Sequence, residues 1–320
     1  MPTVGDAVVR AKRLLNSNTR TELDALDATL SAATDTTINL KYQTDGIRAG
    51  SYISVGDGTN PPETMYVHSR NGEYATVQRG VDGSTAPSTL GVSSNESWQA
   101  GTTIEVEPRF TEFQILEAVR DSIRSLPPNL FAVTTISPAV TSTTDKAVNH
   151  DFSGTGFLHL LQALRTPRSQ HDRWVKANVK VYKNSNTTDF ADGYAIVVQE
   201  DLEKAVTLQL TYAHPFVTTT LDLGTDLVTT VGMTATMQDI PALGAASSLM
   251  LGEESTRLDL HAAGDSRVDA AINAGDRARY SLVLQAQFDR RISQEARRLM
   301  AEYGVRMDAA TSSVFPTTLR

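Results

Sequence analysis

The sequence predicts a multidomain α+β protein: a discontinuous helical bundle carrying a small β-barrel-like insertion and a larger, jelly-roll-like β-sandwich insertion. Three observations predict it. Helical hydrophobic periodicity occurs near both termini and again around Val119, while the two stretches between them alternate with period two. Each helical piece has too narrow an apolar stripe to stand alone, so its partners are the other helical pieces. At 320 residues the chain is long enough to bury a core without staples. The expected division is a helical domain of residues 1–35, 109–128 and 238–305, a small β-domain of 36–108, a sandwich of 129–237 and a tail of 306–320.

In chain order, TVGDAVVRAKRLL places Val4, Ala7, Val8, Ala11 and Leu15 on one helix face behind Thr3 as a cap. TRTELDALDATLSAA predicts a second helix. Thr19 and Glu22 have capping-box spacing, and Leu23, Leu26, Leu30 and Ala33 follow at three, four and three. From Thr36 the period changes. INLKYQ, GSYISVG, TMYVHSR, YATVQRG and TTIEVEP read as five short strands separated by Asp45-Gly46, Asp57-Gly58, Asn71-Gly72 and Asp82-Gly83. Asn71-Gly72 is a hairpin signal in which both central residues take positive φ. In VQRGVDGSTAPS, Gly80 and Gly83 serve backbone geometry, and Asp82 and Ser84 are expected to hydrogen-bond their own turn.

EPRFTEFQILEAVRDSIRSLPP is the clearest helix. Thr111 and Gln114 form a capping box, Phe110 and Ile115 a hydrophobic staple, and Ile115, Val119 and Ile123 the buried row, with Pro127-Pro128 as the stop. From Phe131 to Met237, Val175–Val181 and Val206–Tyr212 alternate, and YAIVV reads as fully buried. A helix then opens at Asp239 and Pro241, breaks at Gly264-Asp265, and gives way at Gly275-Asp276 to one long helix. The apolar row of that helix is Tyr280, Leu284, Phe288, Ile292, Ala296, Leu299 and Tyr303.

Composition removes several functions. There is no cysteine, hence no disulfide framework, thiolate metal site or cysteine nucleophile, and a reducing cytoplasm is the expected place of synthesis. No apolar run approaches ~20 residues and the N-terminus lacks a signal-peptide core, so no membrane association is expected. A net charge of −8 opposes coating of duplex DNA by the whole surface and leaves only a local basic patch.

The candidate chemistry is sparse. GVDGST lacks the following Lys-Ser or Lys-Thr and does not open a helix, so it is not a phosphate-cradling loop. Asp57-Gly58-Thr59-Asn60 has no closing glutamate for calcium and reads as a turn. His68, His150, His159, His171, His214 and His261 include no i, i+4 zinc pair, and His159 reads as a core or strand-face residue. Glu200-Asp201 and Glu253-Glu254 are adjacent acids pointing in different directions, and no Gly-x-Ser-x-Gly elbow occurs. Neither catalytic residues nor cofactor or metal sites are expected, and Asn186-Thr187-Thr188 reads as a polar turn. On the last helix, Arg290-Arg291 and Arg297-Arg298 lie seven residues apart. They are either a solvated face paired with Asp289, Glu295 and Glu302, or a stripe facing an acidic partner or passing DNA.

The string GSYISVG…ETMYVHSRNGEYATVQRGVDGSTA…WQAGTTIEVEPRFTEFQILEAVRDSIRSLP resembles a β-module of tailed-bacteriophage virion proteins. Here it is carried by Gly56, Glu63, Val77, Arg79, Gly80, Gly83, Thr85, Ala86 and Gly101-Thr102. Ser84 precedes the threonine, Asn60-Pro61-Pro62 interrupts the strand before Glu63, and Trp98-Gln99-Ala100 stands where the family often has a histidine. The stretch DIPALGAASSLMLGEESTRLDLHAAGDSR…RRISQEARRLMAEYG is similar to the C-terminal helical hairpin of phage head-to-tail connector (adaptor or neck) proteins. Together the two stretches cover roughly half the chain. The resemblance implies a non-enzymatic subunit of a homo-oligomeric ring, usually a dodecamer, at the head–tail junction of a virion assembled in the host cytoplasm. Its implied partners are the portal protein, sibling subunits, downstream tail or fibre proteins, and genomic DNA passing through the ring without sequence-specific contact. The central sandwich lies outside the resemblance. Its threonine-rich strands suit an alternative, a tail-fibre, collar or receptor-binding protein that holds glycans; a glycan-active enzyme would depend on Glu200 and Asp201.

Overall fold

A computed structural model describes residues 2–15, 22–30, 34–58, 60–86, 98–137, 147–148, 156–166, 174–183, 194–199, 208–219, 221–262 and 276–303. It is a mixed α+β structure with four α-helices and several antiparallel sheets among those residues. The chain divides into two compact units. One comprises residues 1–125, 218–230 and 235–290; the other comprises 126–217, 231–234 and 291–320.

In the first unit, helix α1 (Val4–Leu15) buries Val4, Ala7, Val8, Ala11 and Leu15, the row its spacing predicts. Its N-terminus is closed twice over. Thr3 Oγ1 accepts from Asp6 N–H at 3.1 Å, and Thr3 N–H donates to Asp6 Oδ2 at 2.9 Å. Val4 and Gly5 N–H donate to Thr225 and Leu223 carbonyls, so the donors that a helix start leaves open are met by a distant segment.

The expected second helix over residues 19–33 does not form. Residues 22–25 are strand β1 (Glu22–Ala25), and Leu26 and Leu30 enter antiparallel bridges with Leu40 and Trp98. The leucines at 26 and 30 satisfy a helical period, but both are buried in the β-core. Asp24 then fixes the extended path: its carboxylate accepts N–H from Ala25, Tyr42 and Thr44 at 2.7–2.9 Å. Tertiary burial here overrides local propensity. Thr19 and Ala33 lie outside the described residues.

The five expected strands are present as β2 (Thr37–Asn39), β3 (Tyr52–Gly56), β4 (Glu63–Asn71), β5 (Tyr74–Gln78) and β6 (Thr103–Val106). With β1 they form a six-stranded sheet in the order β1-β6-β3-β4-β5-β2. The sheet curls as a half-barrel, and the Leu26–Leu40 bridge links the ends of its two outermost strands. Its core holds Ile38, Ile47, Ile53, Met65, Val67, Val77, Trp98 and Ile104. The hairpin at Asn71-Gly72 is shifted by one residue from expectation. Asn71 pairs with Tyr74, leaving Gly72-Glu73 as the two-residue loop, and only Gly72 there has positive φ, at 63°. A glycine in the first central place marks the II′ geometry rather than I′.

Helix α2 (Glu112–Ser125) follows, with its capping box formed as predicted: Thr111 N–H to Gln114 Oε1 at 3.1 Å, and Gln114 N–H to Thr111 Oγ1 at 3.2 Å. Phe110 and Ile115 are both buried. Helix α3 (Ile240–Ala262) buries Ile240, Ala242, Leu243, Ala245, Ala246 and Met250, and α1, α2 and α3 pack pairwise on one another. Helix α4 (Asp276–Tyr303) meets α3 where Ser281 Oγ donates to Ser247 O at 3.2 Å. Of the expected apolar row on α4, Leu284, Ala296 and Leu299 are buried; Phe288, Ile292 and Tyr303 are half-buried; Tyr280 is at the surface. The break at Gly264-Asp265 lies outside the described residues, as does the 306–320 tail.

The second unit holds β7 (Ala132–Ile136), β8 (Ala147–Val148), β9 (His159–Arg165), β10 (Val175–Lys176), β11 (Val179–Lys183), β12 (Tyr194–Val198) and β13 (Leu208–His214). They form a four-stranded sheet β10-β9-β13-β7 and a three-stranded sheet β11-β12-β8. Residues Val175–Val181, read as one strand, are two. Ala177 N–H pairs with Ala163 O in the first sheet, and Asn178 O accepts Gln199 N–H in the second, so the chain changes sheets at Ala177-Asn178. One apolar cluster draws Ala163, Leu208, Leu210 and Tyr212 from the first sheet and Ile196 and Val198 from the second.

Candidate functional site

The loop that carries the family-like string is organised around a buried carboxylate. Strand β4 turns Glu63, Met65 and Val67 inward, and β5 followed by the loop turns Ala75, Val77 and Arg79 inward beside them. Glu63 is fully buried, and it meets four donors. Arg79 Nε and Nη2 reach its two oxygens at 2.6 and 2.7 Å, Gly80 N–H at 3.0 Å, and Trp98 Nε1–H at 2.7 Å. The Arg79 side chain is itself only 7% exposed. A buried ion of either sign is tolerated when paired and hydrogen-bonded in this bidentate way. With its oxygens so occupied, Glu63 is a fastening point for β4, the β5 end and Trp98.

The turn after it follows from the same contacts. Gly80 has φ +63°, and a Cβ there would lie 3.1 Å from Ser84 O. Ser84 Oγ donates to Val81 O at 2.7 Å and accepts Thr64 N–H at 2.9 Å, as its expected role requires. Asp82 contributes through its backbone, at φ +54°. Gly83 has φ +79°, Thr85 is exposed, and Gly101 has φ +90° with its N–H donating to Leu26 O at 2.7 Å. Sequence reasoning placed Glu63 and Arg79 in the string without pairing them. The available signal was an acid standing in the apolar row Glu63-Met65-Val67, where only a paired charge is stable.

The four arginines of α4 separate into two kinds. Arg298 donates to Glu295 Oε2 at 2.7 Å, to Glu302 Oε2 at 3.0 Å and to Thr234 Oγ1 at 3.0 Å. Arg291 lies 3.6 Å from Glu295 Oε1 and donates to Gln294 at 3.1 Å. Glu295 is buried between them. Arg290 and Arg297 are exposed and join no ion pair among the described residues. Arg291 and Arg298 are therefore half-buried and ion-paired, whereas Arg290 and Arg297 are exposed.

Several titratable groups are displaced by their surroundings. Burial raises the Glu112 carboxyl, opposed by Lys12 and reinforced by Glu105 and Asp57; Lys12 itself is bonded to Glu105. Burial acts to raise Asp24, but the N–H groups of Thr44, Tyr42 and Ala25 outweigh it and hold the carboxyl below the usual range. In the second unit, burial pushes His159 down, with Lys183 adding repulsion, and its ring stands edge-on to Phe131 at 5.0 Å. His159 is a buried strand residue, in line with its sequence reading. Burial also lowers His214, against the Pro215 carbonyl that accepts its Nδ1–H; Thr134 Oγ1 lies 2.8 Å from Nε2.

His68 is exposed, and His150, His171, Asn186 and Glu200-Asp201 lie outside the described residues. Asp57 closes an Asx turn through Asn60 N–H at 2.8 Å. Among the described residues no group of three or more metal-binding side chains converges, and no helix is long and apolar enough to cross a membrane. Compared with known proteins, the chain matches no family model and no curated sequence.

Proposed function

We propose that this chain is a non-enzymatic head-to-tail connector subunit of a tailed bacteriophage, forming a ring below the portal through which the genome passes. The observation that carries the reading is the packing of α1, α2 and α3, which come from the start, middle and end of the chain. Read as one discontinuous bundle, they leave residues 36–108 and 129–237 as insertions in the sequence between its helices. The first insertion is then barrel-like and the second a jelly-roll-like sandwich. A ring subunit needs extensive heterologous surfaces, and separate helical and β segments supply them. The resemblance of the Glu63–Arg79 string and of the C-terminal helices to phage virion proteins supports the same reading. A net charge of −8 suits a wall past which DNA slides, since each phosphate contact avoided removes a trap.

On this reading the partners are the portal, sibling subunits, and tail or fibre components, and the site of action is the virion neck. The test is particle imaging of the assembled virion with the chain labelled, together with negative-stain images of the purified chain with and without portal. Label at the head–tail junction and ring-shaped particles stacked on portal are expected. Label on fibres or capsid faces, with no portal-bound ring, would overturn the reading.

A further inference from the structure

Charge is unevenly spread along this chain. Residues 22–108 hold twelve acidic and four basic side chains, which accounts for the whole net charge of −8. Helix α4 has the opposite balance, with six arginines against four carboxylates. On α4, Val283, Ala286 and Arg290 follow at three and four residues and so share one side, with Leu282 flanking them. All four are exposed, Leu282 at 68% and Val283 at 51%. Asp289, the nearest acid in sequence, stands ~100° round the helix from Arg290 and accepts a hydrogen bond from Gln285 at 3.0 Å. An arginine at the end of an exposed apolar stripe suits an interface centre, which is more apolar than the rest of the surface and enriched in arginine.

The half-barrel sheet offers the complementary pattern. Asp27 N–H donates to Asn39 O, and Asn39 is paired with Tyr74, so Asp27, Asn39 and Tyr74 form one row across three adjacent chain segments. Residues directly opposite one another in a sheet share a face. Asp27 and Tyr74 are both exposed, Tyr74 at 47%, and Glu73 stands exposed beside it. Two inter-strand spacings separate Asp27 from Tyr74, ~10 Å. Seven residues separate Val283 from Arg290, ~10.5 Å along the helix. With Leu282 and Val283 on the Tyr74 ring, Arg290 therefore reaches Asp27.

We propose that the Leu282–Val283–Arg290 stripe of one copy docks on the Asp27–Tyr74 row of a second copy of this chain, head to tail. The inference deepens the ring reading and rests on it for the expectation that the contact repeats around a closed assembly. The donor and acceptor surfaces are different patches, so each copy keeps one of each after docking, and the contact can propagate and close a ring. The apolar members decide for protein over DNA: a phosphate backbone offers Leu282 and Val283 nothing to bury against, and duplex binding is driven by several cations acting together.

Reciprocal charge reversal in the full chain tests this. Analytical ultracentrifugation is run in about 0.1 M and about 1 M salt, where the screening length falls from about 10 Å to about 3 Å. The unsubstituted chain is expected to self-associate at low salt and to dissociate substantially at high salt. Arg290→Glu and Asp27→Arg should each weaken association at least about tenfold. Their thermal unfolding should be unchanged, because both side chains are exposed. An equimolar mixture of the two should regain association, since each variant then finds an opposite charge only on the other. Tyr74→Ser should weaken association at both salt concentrations. A chain that stays monomeric at low salt, or a mixture that does not regain association, overturns the proposal. So does an Arg290→Glu variant that loses retention of a short DNA duplex while self-associating normally; that result assigns the stripe to phosphate. Virion labelling separates the two readings: label at the neck with unaffected variants removes only this interface, whereas charge-swapped assembly with label elsewhere removes only the connector assignment.

Discussion

Replacing Arg79 by methionine is the sharpest test of what holds the half-barrel together. The change keeps the aliphatic stem and removes two of the four donors on Glu63 along with the only cation hydrogen-bonded to it among the described residues. Glu63 is fully buried, so the carboxylate left behind cannot recover those bonds from water. Breaking a buried pair from one side costs about 3–5 kcal/mol, a large part of the 5–15 kcal/mol that holds a typical domain folded. Trp98→Phe removes one hydrogen bond to a charged group and leaves a void beside the smaller ring, so it should cost at least about 1.5–3 kcal/mol. The double variant Glu63→Leu with Arg79→Met removes both charges together. It should therefore cost clearly less than the two single changes added, by 2 kcal/mol or more on the order of buried-pair coupling. The assay is urea unfolding read from Trp98 fluorescence in a Trp174→Phe background, since the chain has only these two tryptophans. Unfolding of the Trp98→Phe variant is followed by circular dichroism. At a slope of about 2 kcal/mol per M, the Arg79→Met midpoint falls by roughly 2 M. A loss under about 1 kcal/mol, or additive single changes, would refute the claim that this ion pair organises the fold.

Other consequences follow from the same structure. Glu112 has a raised pKa, so the folded state favours its neutral form, and stability is lost as pH rises through and above the ordinary carboxylate range. Glu112→Gln should raise the melting temperature near neutral pH and leave it unchanged in acid. His159 and His214 have lowered pKa values, so the folded second unit favours neutral rings, and stability present above about pH 6.5 is lost as pH falls through that value. His159→Phe with His214→Gln should flatten the acid limb of the unfolding profile followed by Trp174 fluorescence. Gly244 on α3 packs so close to α2 that an added Cβ would lie 2.2 Å from Ser122 Oγ and 2.8 Å from Phe288. Gly244→Ala should thus destabilise by about 1–3 kcal/mol despite its better helix propensity, and thermal unfolding that improves instead would show that the α2–α3 contact yields.

What could be read from the sequence was whatever is fixed locally. The Thr3 and Thr111 caps, the Val4–Leu15 face and the Asn71-Gly72 hairpin are determined within a few residues, and each occurs within one residue of its expected place. Leu23, Leu26 and Leu30 mislead for the opposite reason. Their three- and four-residue spacing fits a helix, but Leu26 and Leu30 are claimed by Leu40 and Trp98, 14 and 68 residues further on. The arginines of α4 show a middle case. Glu295 is four residues after Arg291 and three before Arg298, so that pairing is written in the spacing; the exposure of Arg290 and Arg297 follows from which face of the helix is covered.

The buried carboxylate also explains why the stretch from Glu63 to Arg79 says little about ligands. Glu63, Arg79 and Gly80 satisfy one another, and Trp98 supplies the fourth donor. Residues that spend their polar atoms on each other transmit a fold between proteins and leave binding to surfaces that vary. In this chain the surfaces proposed for binding are the exposed side of α4 and the acidic face of the half-barrel. Function is accordingly to be sought where side chains such as Leu282, Arg290, Asp27 and Tyr74 remain exposed.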